Sequence, residues 1–159
     1  MKRDLRRGVT LIEMMIVVTL ISLMVGITFP AVTSGIDSLR LSAATDSIVS
    51  FLNGAMSRAD RRQEVMEITI FLKDNKMVLR GLDPSYVREI SLPDGVTIER
   101  VLPDFPGARE DLPRQFMLMP GGSVPRISIE IRNRRGAGRI VGVDPVTGVP
   151  QVTRLDNSE

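Results

Sequence analysis

Residues 1–29 read MKRDLRRGVTLIEMMIVVTLISLMVGITF, and this stretch decides how the rest of the chain is to be understood. From Val9 to Val32 the only ionisable side chain is Glu13, whereas the eight residues before it hold Lys2, Arg3, Arg6 and Arg7 against Asp4. As a helix, Val9–Phe29 would extend about 30 Å, the thickness of a bilayer's hydrocarbon core. Its twelve Val, Leu, Ile and Phe side chains favour insertion by roughly 4–7 kcal/mol, against about 3 kcal/mol for one acid at the centre of a span. Glu13 lies near one end, so its cost is smaller. A secretory signal has a shorter apolar core, roughly 7–15 residues, closed by a small-residue cleavage site. Here the run is too long and no Ala-x-Ala-like site follows it. The stretch predicts a single-pass anchor with a cytoplasmic amino terminus, set by the basic cluster before it.

Three positions in this region carry more than hydrophobicity. Gly8, without a side chain, leaves the backbone between the basic cluster and the apolar run free to lie extended without a clash. Glu13 stands one helical turn beyond Val9. A carboxylate in lipid is costly unless protonated or paired, so Glu13 either snorkels to the head groups or meets a cation. Pro30 removes the hydrogen bond its nitrogen would give the carbonyl of Gly26, itself a poor helix former, so Gly26–Pro30 is a weak segment. Pro30 reads equally well as a marker of the membrane boundary, and the two roles are compatible.

Arg7-Gly8-Val9-Thr10-Leu11-Ile12-Glu13 resembles the processing signature of type IV prepilins and type II secretion pseudopilins. Phenylalanine is commonest in that family where this chain has Val9. The resemblance implies that prepilin peptidase, a membrane-embedded aspartyl enzyme, cuts after Gly8 and methylates the amine of Val9. It implies that Glu13 pairs with the terminal amine of an adjacent subunit and sets axial register. It also implies a helix that bends or melts locally near Pro30 on assembly. Partners would then be other pseudopilins or pilins through the amino-terminal helix, prepilin peptidase and inner-membrane lipid. The carboxy-terminal domain would lie in the periplasm, and would stay there in the filament after assembly.

Beyond Pro30 the pattern becomes amphipathic. Leu41, Ala44, Ile48, Phe51 or Leu52, Ala55 and Ala59 recur at three- and four-residue steps, and the helix is expected to reach about Arg62. Alternation then predicts short strands over 65–72, 76–80, 89–92, 96–101, 115–119, 127–132, 138–143 and 149–154. Lys73-Asp74-Asn75 would turn the first hairpin and Asp144–Gly148 the last. The fold class is α+β, with a long amino-terminal helix packed on an antiparallel β-rich domain, pilin-like in outline. The expected divisions are a cleaved leader over 1–8, a transmembrane and assembly helix over 9–32, its amphipathic continuation over 33–62, and a globular domain over 63–159. Loops at 103–113 and 120–125, rich in proline and glycine, read as exposed connectors.

Composition excludes several chemistries. The 159 residues contain no cysteine and no histidine. That rules out a disulfide framework, a Ser–His triad, a thiol nucleophile and typical zinc sites. No catalytic, metal-binding or cofactor-binding residues are assigned, and no enzyme activity is expected. The basic pI of about 9.5 belongs to the leader. Its loss removes four of the 21 basic and one of the 19 acidic residues, leaving 17 against 18.

Arg61, Arg62 and the following Val65–Ile68, together with Gly138–Val143, loosely resemble the GspH/FimT family. The resemblance implies a minor pseudopilin of a type II secretion system. The alternative is a FimT-like minor pilin of a type IV pilus. In that case Arg132, Arg134, Arg135 and Arg139, around Gly136–Gly138, are the place for a phosphate contact with DNA. A solvated basic loop is the default reading of these arginines. The scarcity of aromatics and the presence of Val141, where DNA-binding relatives tend to carry arginine, put DNA second.

Overall fold

The structure is a computed structural model that describes residues 9–104, 112–121 and 125–155, without the side chains of residues 30 and 31. The chain divides into two compact units, 1–36 and 37–159. One helix, α1, spans Leu11–Arg62 and contributes to both.

In the first unit the described residues form the beginning of α1. Thr10 caps it, its hydroxyl accepting the Glu13 amide at 3.3 Å, which satisfies one of the amides every helix start leaves without a partner. Every large apolar side chain here is exposed, from Val9 to Phe29, and the helix is long and apolar enough to cross a membrane. The hydroxyls of Thr19 and Ser22 donate to the carbonyls of Met15 and Val18 at 2.7 and 2.8 Å. Such back-bonding lets a hydroxyl sit in hydrocarbon without seeking water.

Among the described residues the second unit holds the rest of α1 and eight strands: β1 (Met66–Phe71), β2 (Lys76–Arg80), β3 (Val87–Ser91), β4 (Val96–Leu102), β5 (Arg114–Leu118), β6 (Ser128–Asn133), β7 (Gly138–Val143) and β8 (Pro150–Leu155). All eight lie within two residues of the expected bounds. They divide into two four-stranded antiparallel sheets, ordered β3-β2-β1-β5 and β4-β6-β7-β8, an order that local patterning left open. The chain crosses between the sheets after β3, returns with β5 and crosses again before β6.

One core joins α1 to both sheets. The helix supplies Leu41, Ala44, Ile48, Phe51, Leu52, Ala55 and Ala59, so Phe51 and Leu52 are both buried rather than one or the other. Its alanines let the strands approach closely. The first sheet supplies Met66, Ile68, Ile70, Met77, Leu79 and Leu118, and the second Val96, Ile98, Val101, Ile127, Ile129, Ile131, Val141 and Val143. In β4 strict alternation would turn Val101 outward. A register shift between Ile98 and Arg100 inserts one residue and returns Val101 to the core, the ordinary effect of a bulge.

The helix ends at Gln63, which takes a left-handed φ of 52° while the Glu64 amide bonds the Ala59 carbonyl at 3.2 Å. Asn75 in the β1–β2 turn also has positive φ, 49°. Its side-chain oxygen accepts the Ile98 amide at 2.8 Å, and its carbonyl accepts the Leu92 amide at 2.9 Å. One turn residue thus clamps the first sheet to an edge strand of the second. Of the two expected connectors, residues 105–111 and 122–124 lie outside the described residues. Arg114 closes the base of the longer one, with a hydrogen bond to the Pro103 carbonyl and its guanidinium 4.0 Å from Asp104.

Candidate functional site

The amino-terminal segment is the first candidate. The expected cleavage position, Gly8, lies outside the described residues; Val9 follows it with 67% of its surface exposed. Glu13 falls in the first turn of α1, three residues after the capping Thr10. Thr10-Leu11-Ile12-Glu13 therefore has the Thr-x-x-Glu spacing of a capping box, of which the Thr10 half is formed. Reading the sequence for lipid burial missed this local role, although the spacing alone signals it. A carboxylate at this position faces the positive end of the helix dipole, where it is favourable, and it would also offset the amine that the expected cleavage leaves on Val9.

Gly26 has no neighbour within 4 Å of the point a Cβ would occupy. Packing among the described residues therefore does not require a glycine there, and its effect is on the helix backbone itself. The helical span runs on through position 30. A proline weakens its turn without necessarily ending the helix.

The arginines suggested as a patch are not gathered on one face. Arg132 is 2.8 Å from Glu99 and 3.0 Å from Glu130, and Arg100 lies 3.9 Å from the other oxygen of Glu130. Glu130 is nearly buried, at 8% exposure, so these two guanidiniums compensate a carboxylate that could not stand alone. Arg135 reaches Asp37 at 3.4 Å. Arg139 donates to Thr45 at 3.3 Å and to Ser42 at 3.5 Å on α1. Arg134 is exposed, with its side chain against Gly95 and its amide bonded to the Gly95 carbonyl at 3.1 Å. Sequence proximity suggested a cluster, but alternation along β6 and β7 and the turn between them send the side chains to different partners.

Two exposed turns hold ionised carboxylates. Asp144 is held below its ordinary pKa by the Thr147 amide, then the Val146 amide. Asp83 is lowered by the Ser85 hydroxyl and amide, with a smaller contribution from Arg58. Both organise their own turns. Among the described residues no group of three or more potential metal ligands comes together.

No curated protein and no solved structure matches the chain. Residues 3–29 match the model of the prokaryotic N-terminal methylation motif, whose span covers most of the basic leader, Gly8, Glu13 and the exposed apolar helix, and this match supports a type IV pilin-like protein, of the pilin or pseudopilin kind, processed by prepilin peptidase.

Proposed function

We propose that the chain is a minor pseudopilin of a type II secretion system, a GspH-like subunit. It would be held in the inner membrane by α1, with its globular unit in the periplasm, until it joins a short filament that helps export folded proteins. The observation that carries this is the methylation motif over residues 3–29, followed by an unburied apolar helix and a two-sheet domain. The chain acts as a structural subunit rather than an enzyme.

The choice of a secretion pseudopilin rests on the loose GspH-like resemblance of the helix end and of Gly138–Val143. A FimT-like pilus subunit shares the anchor and remains the second reading. Its DNA contact is weakened by the intramolecular partners of Arg132, Arg135 and Arg139.

The test is Glu13→Leu expressed in the native host beside the wild type. We expect cleavage after Gly8 and membrane insertion to persist, and co-purification with the other filament subunits to fall by about tenfold or more, since an unpaired charge left in lipid costs at least as much as one lost ion pair. Wild-type incorporation of the variant would reject the register role. Deleting the genes of the secretion machinery or of the pilus machinery in turn then assigns the system: the filament that loses this subunit is its own.

A further inference from the structure

The last two turns of α1 carry Arg58, Arg61 and Arg62 at three- and four-residue steps, on one side of the helix. With Gly54, Ser57 and Tyr86 they line a concavity of about 340 Å³. Arg88 of β3 reaches the same place. Its Nη1 lies 2.8 Å from where a Cβ on residue 54 would stand, so any side chain at position 54 would displace this guanidinium from its present place on the helix. Arg58 is held in place from two sides: its Cζ is 3.4 Å from the Tyr86 ring centre and its Nε 3.1 Å from Glu64.

Charge in this cleft is unbalanced. Glu64 pairs with Arg58 and Asp83 also faces that charge, while Arg61, Arg62 and Arg88 form no ion pair among the described residues. Arginines in a last turn are favoured by the helix carbonyls, which accounts for Arg61 and Arg62. It does not account for Arg88 arriving from another element, for the stacked Arg58, or for the glycine that makes room.

We propose that this cleft binds an acidic segment of a partner protein, with Asp or Glu side chains entering between Arg88 and the Arg61–Arg62 pair. Guanidinium forks match carboxylates in a two-bond geometry, and the Ser57 hydroxyl offers a further donor. Nucleic acid fits less well. Tyr86 has one face under Arg58 and packs against the core, so no aromatic face is open for a base to stack on. The cavity holds one or two side chains rather than a sugar-phosphate backbone. The cleft lies wholly in the globular unit, so it stands or falls separately from the role of Glu13 and from the kind of filament.

The test uses the detergent-solubilised full chain and two fluorescein-labelled probes, hexaglutamate and an oligothymidylate of equal charge. At an ionic strength of about 0.01 M, where screening acts over about 30 Å, hexaglutamate should bind saturably and weaken on raising salt to about 0.15 M. Arg61→Glu combined with Arg62→Glu should weaken it by about tenfold, as should Arg88→Glu. Arg154→Glu, an exposed change on β8, should leave it unaltered. All of these side chains are exposed, and an unchanged circular dichroism spectrum would establish that each variant is folded. Loss of affinity in Arg154→Glu equal to that in the cleft variants would mean diffuse attraction and overturn the site. Absence of saturable hexaglutamate binding, or binding of oligothymidylate in its place, would overturn it as well.

Discussion

Single side chains in this molecule are tied to specific electrostatic tasks. Glu13 combines a turn-capping position with a charge in an apolar segment, so its substitution is expected to touch assembly more than helix formation, because Thr10 supplies the cap bond that is made. Arg132 is the clearest case of a surface arginine with an internal duty. Removing it leaves Glu130 near-buried with only Arg100 at 3.9 Å. Arg132→Ala should therefore destabilise the globular unit by about 1–3 kcal/mol, read as a lowered urea midpoint, whereas Arg134→Ala should leave the midpoint where it was. Asp144 gives the pH dependence. Its pKa is lowered in the fold by the Thr147 and Val146 amides. The ionised form is thus the one the turn stabilises: its contribution is complete above the unfolded aspartate value and is lost as pH falls through the lower folded one. The Val146 and Thr147 amide resonances should titrate with a midpoint below the ordinary carboxylate range, and Asp144→Asn should abolish that titration.

Elements divide by what covers them. Helix α1 has an exposed apolar start and, from Leu41 on, a stripe buried under two sheets. Phe51 is fully buried in that stripe, and Phe51→Ala should cost about 3–5 kcal/mol, measured as a shift of the urea transition of the detergent-solubilised chain. Leu20→Ala, in the exposed stretch, should leave that transition in place, since Leu20 has no part in the globular core. Equal shifts for both would contradict the division of α1 into two differently solvated halves. Strand positions were legible where apolar residues recur every second position over a buried face: Ile127, Ile129 and Ile131, at and just before β6, are all at or below 1% exposure. The bulge in β4 was not legible, because only pairing with β6 shows that one residue must be skipped. The same holds for Thr45, whose buried hydroxyl bonds the Leu41 carbonyl at 2.7 Å and accepts from Arg139. A threonine between apolar helix positions carries no local sign of a partner 94 residues away.

At the level of the whole chain, processing is the property to measure. Material extracted from membranes of the native host should have an intact mass lacking residues 1–8 and carrying one methyl group on the nitrogen of Val9, and should leave the membrane fraction only with detergent. A full-length mass that retains Met1, on protein soluble without detergent, would reject the anchor and the processing together. The expectations of an anchor, of its polarity and of a cleavage position were drawn from sequence alone, because insertion and peptidase recognition act on contiguous residues. So were the helix–strand alternation and most of the buried residues, since a period of 3.6 or 2 is a local property of the chain. The tertiary structure alone decided the split into two sheets, the Asn75 clamp, the dispersal of Arg132, Arg135 and Arg139 onto separate partners, and the convergence of Arg88 with the end of α1. The physical reason is common to all of them: strand order and the distribution of charge depend on which distant segments share the core, and no residue carries that information in its neighbours along the chain.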